Sequence, residues 1–420
     1  MSLPVLSIVA FAIAIIVSCI SEINVGFLSI AFAFIIGVLF GGMKAADVAA
    51  GFPTSLFLIL VGVTLFFSQA NVNGTLDKVA KLSVKLARGN IGMIPVIFFF
   101  LAAGLASIGA GNIATTALLA PVAMTVAGNL GISAFLMTVC VCCGANAGAL
   151  SPFAPTGVIA NGLLGRIGIT HQEWQVFYKN LIAEGFVGLS GYFVLGGWKL
   201  FSRHASRRAV RLDEALIGDE GPFVWYQKLT LVLIGALVVS VAYFKIDVGM
   251  AAIIAAAIMT LCRAAKEEQA VKAMPWNVIL MVCGVTVLIS ILEKKGGMDL
   301  FTTILAKFST PTSVTGVMGF VTGLISVYSS SSGVVLPAFI PPIPSLVQKI
   351  GGGDMMAIAN SVNVGAHLVD VSPLSTLGAL CIANAAASVD RKSLFNKLMI
   401  WGLSMSLVGA LVCWVFFGLL

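Results

Sequence analysis

The chain has 420 residues, 59% of them hydrophobic and only 10% charged, with a mean hydropathy of +1.06. Apolar runs of about 18 or more residues recur along its whole length, as helices crossing a bilayer core about 30 Å thick require, and no long stretch suits a soluble domain. The excess of 24 Lys and Arg over 17 Asp and Glu fits loop orientation in a membrane better than a nucleic-acid partner. The eight cysteines sit mainly in apolar runs, Cys140, Cys142 and Cys143 among them. They lack CxxC spacing, so they read as small buried hydrophobes.

In chain order, Pro4–Ile20 is apolar without a basic leader and reads as a retained helix. Helices are expected at about 4–20, 24–42 and 53–71. In residues 75–88, Leu76, Val79, Leu82 and Leu86 share one helical face. Lys78, Lys81, Lys85 and Arg88 share the other, which predicts an arm lying on the membrane surface. Residues 91–128 are apolar but broken at Gly111-Asn112, and 133–165 are broken at Ser151–Pro155. Gly costs backbone entropy in a helix, and Pro removes an N–H and clashes with the preceding turn. At membrane depth such breaks are tolerated only where the freed backbone groups line a cavity or bind something. The first break therefore predicts a re-entrant hairpin and the second a broken helix. A span at about 181–199 and a basic linker at 201–228, with Arg203, Arg207, Arg208 and Arg211, follow.

The pattern then restarts as an internal repeat. Ile23-Asn24-Val25-Gly26 matches Ile246-Asp247-Val248-Gly249, and Pro53 with Gly62-Val63-Thr64 matches Pro275 with Gly284-Val285-Thr286. Asp77 matches Asp299; Pro121, Gly144-Ala145, Ser151-Pro152 and Gly157 match Pro342, Gly365-Ala366, Ser372-Pro373 and Gly378. The expected architecture is an all-α polytopic membrane protein made of two repeats, 1–200 and 229–420. The first holds scaffold helices within 1–71, an arm at 75–88, a hairpin at 91–128, a broken helix at 133–165 and a span at 181–199. The second holds scaffold helices within 229–292, an arm at 297–308, a hairpin at 312–348, a broken helix at 354–386 and a span at 397–417. Five spans per copy is odd, so the second copy must enter the membrane inverted. One set of loops carries 16 of the 24 Lys and Arg, which assigns it to the cytoplasm and both termini to the outside of a bacterial-type inner membrane. Inverted repeats with discontinuous helices meeting at the midplane are the architecture of secondary transporters.

At these residues the chain resembles a family. Gly111–Pro121 (GNIATTALLAP) is similar to the first Ser-Asn-Thr hairpin motif of the divalent anion/sodium symporters of the ion transporter superfamily. Gly51–Gly89 (GFPTSLFLILVGVTLFFSQANVNGTLDKVAKLSVKLARG) more narrowly resembles the MatC dicarboxylate (malonate) carriers. The chain departs from the pattern in its first triplet, Gly111-Asn112-Ile113, and in Ser329–Gly333 (SSSSG), which has no Asn. The resemblance implies an elevator-type carrier, a homodimer, and ligand binding at the hairpin tips.

The chemistry at the breaks is compatible with that role. Half-helices starting near Asn112, Pro155, Gly333 and Leu374 would aim free N–H groups and positive dipole ends at the centre. Those ending near Ala110, Ala149, Ser331 and Asp370 would offer carbonyls to a hard cation. The expected substrate ligands are Asn112, Thr115, Thr116, Ser151, Thr156, Ser331, Ser332, Ser372, Ser375 and Thr376. The expected cation ligands are Gly111, Asn112, Asn146, Ser330, Ser332, His367 and Asp370, holding Na⁺, with H⁺ as the alternative coupling ion. Ser and Thr in membrane helices also bond back to their own backbone or join helices. His367 and Asp370 stand where the first copy has Asn146 and Ala149, and an ionisable residue at this depth is a functional candidate. Glu184 falls one turn into the 181–199 span, where snorkelling to the interface is expected.

The function expected from this pattern is cation-coupled symport of small dicarboxylates, malonate or a C4 acid such as succinate. A Na⁺/H⁺ antiporter and an arsenite-type oxyanion efflux carrier are the alternatives on the same fold. No enzyme, resident cofactor, transition metal or nucleic-acid partner is expected; the partners are the substrate, the lipid bilayer and a second copy of the chain.

Overall fold

The computed structural model describes residues 2–20, 23–84, 90–202, 221–244, 246–386 and 389–419. Arg203, Arg207, Arg208 and Arg211 of the basic linker lie outside the described residues, as do Lys85 and Arg88 of the arm. Among the described residues every regular element is helical. The first half comprises α1 (Leu3–Ile20), α2 (Val25–Phe34), α3 (Ala45–Ala49), α4 (Thr54–Val72), α5 (Thr75–Val84), α6 (Met93–Leu105), α7 (Gly111–Leu130), α8 (Ala134–Ala149), α9 (Pro155–Arg166) and α10 (Glu173–Val194). The second comprises α11 (Trp225–Ala242), α12 (Val248–Leu261), α13 (Glu267–Ala273), α14 (Trp276–Lys294), α15 (Gly297–Lys307), α16 (Val314–Ser326), α17 (Leu336–Phe339), α18 (Ile343–Ile350), α19 (Met355–Leu368), α20 (Thr376–Ala383) and α21 (Arg391–Cys413).

Helix starts are set by short polar side chains that accept the orphan N–H groups of the first turn. Asn24 accepts from the Gly26 N–H at 2.9 Å. Its repeat equivalent Asp247 accepts from the Met250 N–H at 2.9 Å. Asp354 and Asp390 cap α19 and α21 in the same way. Four segments are long and apolar enough to cross a bilayer: Thr54–Val72, Met93–Leu130, Trp276–Lys294 and Arg391–Leu419. Six other apolar helices have 10–17 residues. The breaks explain the shortening: α8, with 16 residues, rises only ~24 Å and needs its continuation in α9 to complete a crossing.

The chain direction of each broken segment follows from its contacts. A Cβ at Gly144 would meet the Phe99 carbonyl oxygen at 2.3 Å and one at Gly148 the Ala103 carbonyl oxygen at 2.3 Å, so α6 runs parallel to α8. Asn112 bonds Asn146 while Thr138 reaches Met124, so α7 runs antiparallel to α8. The arms α6 and α7 therefore run against each other as a hairpin, although the segment passes as one long apolar helix by composition. In the second half Gly365 packs on Gly319 of α16, while Ser331 reaches Asp370 and α18 lies beside the start of α19. The same crossing results, with the return arm bent by 43° between Ser331–Phe339 and Ile343–Ile350. A second exchange joins the flanking helices. Gly284 of α14 packs on the Gly26 backbone of α2, and Gly62 of α4 packs on the Gly249 backbone of α12. The two interfaces use repeat-equivalent glycines, each joining one helix from each half.

The arm differs from expectation. Lys78 is buried rather than solvent-facing: its ammonium donates to the carbonyls of Gly221 and Pro222 and lies 5.0 Å from the Phe223 ring centroid. The chain after the linker folds back over the arm and turns a predicted surface charge into a tether.

Candidate functional site

Two tight turns position the site. In the first, Gly109 (φ 123°) and Gly111 (φ 74°) take left-handed conformations that L side chains rarely adopt, and a Cβ at Gly109 would lie 2.1 Å from the Phe67 ring. The second is made by serine: Ser330 Oγ accepts from the Gly333 N–H at 3.0 Å and starts the return arm. Each turn is tied to its neighbouring break. Ser151 Oγ donates to the Ser107 carbonyl at 2.6 Å, and its equivalent Ser372 Oγ donates to the Val327 carbonyl at 3.3 Å.

A buried hydrogen-bond chain then links the two halves. Asn112 Oδ1 accepts from the Ile113 N–H at 3.0 Å, and Asn112 Nδ2 donates to Asn146 Oδ1 at 2.9 Å. Asn146 Nδ2 donates to the His367 carbonyl at 2.9 Å, and Asn180 Nδ2 donates to the Asn146 carbonyl at 2.8 Å. In the second half the link from hairpin to broken helix is different: Ser331 Oγ donates to Asp370 Oδ1 at 2.7 Å and contacts Ser326 Oγ at 2.6 Å. A carboxylate–serine pair thus stands where the first half uses two asparagines.

Between the turns lies a cavity of about 220 Å³. Asn112 and Ile113 line it from the first hairpin, Tyr328–Ser332 from the second, Asp370 and Leu374–Leu377 from the second break, and Ile23 and Met281 from the flanking helices. Among the described residues no Lys or Arg lines it, and Asp370 is its one carboxylate. The volume is many times the roughly 10–15 Å³ that one bound water needs, which leaves room for a small organic acid.

The cavity gathers Asn112, Ser330, Ser331, Ser332, Asp370, Ser375 and Thr376 of the expected ligands and leaves others aside. Thr115 and Thr116 are wholly buried in α7, away from its lining, with hydroxyls that find no partner. Ser151 and Ser372 spend their hydroxyls on the turn carbonyls, and Thr156 is buried at the start of α9. Gly111 supplies the turn and packs on Pro155. Asn146 is saturated as the connector between halves. A spacing of three would put His367 and Asp370 on one face of a continuous helix, but α19 ends at Leu368. Its ring turns back, Nδ1 donating to the Asn363 carbonyl at 2.7 Å, and among the described residues no hydrogen bond joins it to Asp370. Thr376, not Leu374, begins the last half-helix.

Glu184 is the clearest departure. The helix carrying it starts at Glu173, not near residue 181, so Glu184 lies three turns in and is 0% exposed, and among the described residues its carboxylate meets only the weak donor of the Cys143 thiol. It does not snorkel. The signal that misled is Glu173-Trp174-Gln175, whose polar residues disguise the first turns of a long helix.

Apolar helices, antiparallel broken arms and a polar cavity at their meeting point describe a multi-pass membrane fold. The chain shares its fold with the YdaH transporter from Alcanivorax borkumensis, whose crystal structure has an unusual topology, at a TM-score of 0.56 and 15% identity over 89% of this chain and 87% of that one. Residues 1–149 match the family model for the dicarboxylate carrier protein MatC N-terminus, so the resemblance seen in Gly51–Gly89 extends through the first hairpin to the end of α8. No curated protein matches the chain.

Proposed function

We propose that the protein carries small dicarboxylates, malonate or a C4 acid such as succinate, across the inner membrane by cation-coupled symport. The observation that carries this reading is the cavity's composition: hydroxyl and amide groups, a single carboxylate and no basic side chain. A dianion entering beside a charged Asp370 would be repelled by about 4 kcal/mol per unit charge at ~4 Å and an effective dielectric of ~20. A monovalent cation on Asp370 removes that penalty, and by linkage the dianion then raises the affinity for the cation. Na⁺ is the ion we assign, held by Asp370, Ser330 and Ser332 with Asn112 and the turn carbonyls beside Gly111. Ser375 and Thr376 would supply donors to the substrate, while the Ser331 hydroxyl stays on Asp370.

The rest of the architecture belongs to the same proposal. The reciprocal glycine interfaces and the two parallel-then-antiparallel crossings support two inverted repeats, 1–200 and 229–420, with re-entrant hairpins entering from opposite sides. The hairpins and broken helices would move as one body against α2, α4, α12 and α14 in an elevator motion. Those flanking helices would also provide a homodimer interface, and the Lys and Arg distribution puts both termini outside. Uptake of radiolabelled malonate and succinate into proteoliposomes, with and without an inward sodium gradient, tests the reading. Gradient-driven accumulation is expected. Sodium-driven proton movement without substrate would establish the antiporter instead.

A further inference from the structure

Glu184 is not used by the transport reading above. It lies eleven residues after the start of α10, about 16 Å along the helix at 1.5 Å per residue, which is half the thickness of a bilayer core. Three elements face it. From α8 comes the Cys143 thiol, beside the carboxylate, where the helices are so close that a Cβ at Gly188 would meet Cys143 Cβ at 2.8 Å. From α10 itself, one turn earlier, comes Asn180. From the third, α19, come Val364 and Leu368, which follow Asn363 and His367 in the chain and pack with Ala183 and Val187. Asp370 lies within electrostatic reach. Among the described residues no ion pair includes Glu184, and the ammonium of Lys179, on the same helix, sits over the Phe417 ring at 5.0 Å.

This junction is short of donors. Because His367 Nδ1 donates to the Asn363 carbonyl, Nε2 of the neutral ring is an acceptor, and it has no partner. Asn180 Oδ1 and Asn363 Oδ1 are also unpartnered acceptors, and among the described residues only the weak Cys143 thiol donor meets the Glu184 carboxylate, against two unpartnered amide donors, Asn360 Nδ2 and Asn363 Nδ2. A bare carboxylate at this depth costs several kcal/mol unless a proton or cation neutralises it. A metal cation would need several converging oxygens, whereas a thiol and the packing of Ala183 and Val187 against Val364, Leu368 and Met405 fill the surroundings. A proton needs no space and converts one acceptor into a donor.

We propose that Glu184 is a mid-membrane proton-binding site whose proton is taken up and released in step with the ligands of the cavity. The coupling part rests on the transport reading; the site does not. Asn180 donates to the Asn146 carbonyl, and Asn146 bonds both Asn112 at the hairpin tip and the His367 carbonyl on α19, three residues before Asp370. A cation arriving at Asp370 removes a like charge and favours proton release, and an arriving dianion favours proton uptake.

The test uses purified full-length protein. Infrared spectra without sodium at neutral pH are expected to contain a protonated-carboxyl C=O band that is lost in Glu184→Gln and displaced in Glu184→Asp. A band unchanged in both variants overturns the site, and Glu184→Asp decides the question should Glu184→Gln not fold. In proteoliposomes holding a pH dye, malonate or succinate uptake is expected to move protons in the wild type and not in Glu184→Gln. Wild-type uptake without proton movement overturns the coupling. A Glu184 band in a protein that takes up neither acid supports the proton site and sinks the dicarboxylate reading alone.

Discussion

Asn146→Ala tests the link between the halves. The substitution deletes two side-chain hydrogen bonds, to Asn112 Nδ2 and to the His367 carbonyl, both 2.9 Å. Leaving two buried groups unpaired at about 1–3 kcal/mol each would cost about 2–6 kcal/mol. Interhelical hydrogen bonds in membrane proteins average only about 0.6 kcal/mol, which would make it about 1. The surroundings decide between these values. The His367 carbonyl keeps the Asp370 N–H at 3.0 Å, and Asn112 borders the cavity, where water can receive its amide. The expected cost is therefore near the lower bound, about 1–2 kcal/mol, read as equilibrium unfolding in mixed micelles. Transport should nevertheless be lost, because the hairpin tip loses its anchor. Asn146→Asp should be the less stable of the two, since it sets a carboxylate oxygen against the His367 carbonyl in place of the amide donor. An Asn146→Asp protein as stable as the wild type, or an Asn146→Ala protein with normal uptake, would refute the bridging role.

Asn112→Ala should abolish uptake while leaving a folded, monodisperse protein, as size-exclusion and thermal unfolding would report; uptake at the wild-type rate would reduce Asn112 to a turn residue. Asp370→Asn keeps the bond from Ser331 but not the charge, so sodium affinity measured by binding should fall far more than substrate affinity at saturating sodium. Gly144→Ala and Gly365→Ala should cost similar amounts, about 1–3 kcal/mol each, because a methyl group would lie 2.3 and 2.4 Å from a facing backbone oxygen. Unequal effects would separate two packings described here as equivalent. Single cysteines at Arg263 and Lys349 in a background free of reactive thiols should label from opposite sides of the membrane, and labelling from one side would break the inverted arrangement.

Much of this protein is legible in its sequence because a bilayer permits few solutions. Helix must satisfy its own backbone, so among the described residues the apolar runs are helical, and the chain breaks at Gly109–Gly111, Ser151–Ala154, Ser330 and Ser372–Ser375, while Pro121 stays inside α7. The repeat was equally visible, since close helix contacts demand glycine at matching positions: Gly26, Gly62, Gly249 and Gly284 are spacers that no larger residue replaces.

What the sequence could not determine is where a side chain spends its hydrogen bonds and charges once the helices meet. Asn146 and Asn112 are both asparagines beside a break, yet one is saturated between the halves and the other faces the cavity. Ser372 and Ser375 are three residues apart, and one ties a turn while the other lines the site. Lys78 reads as a surface charge until residues 221–223 fold over it, and Glu184 reads as a snorkelling residue until α10 proves to begin at Glu173. Backbone hydrogen bonding is local, so the one-dimensional pattern determines it. Burial and pairing of a polar side chain depend on which distant helix packs against it, and only the tertiary structure decides that.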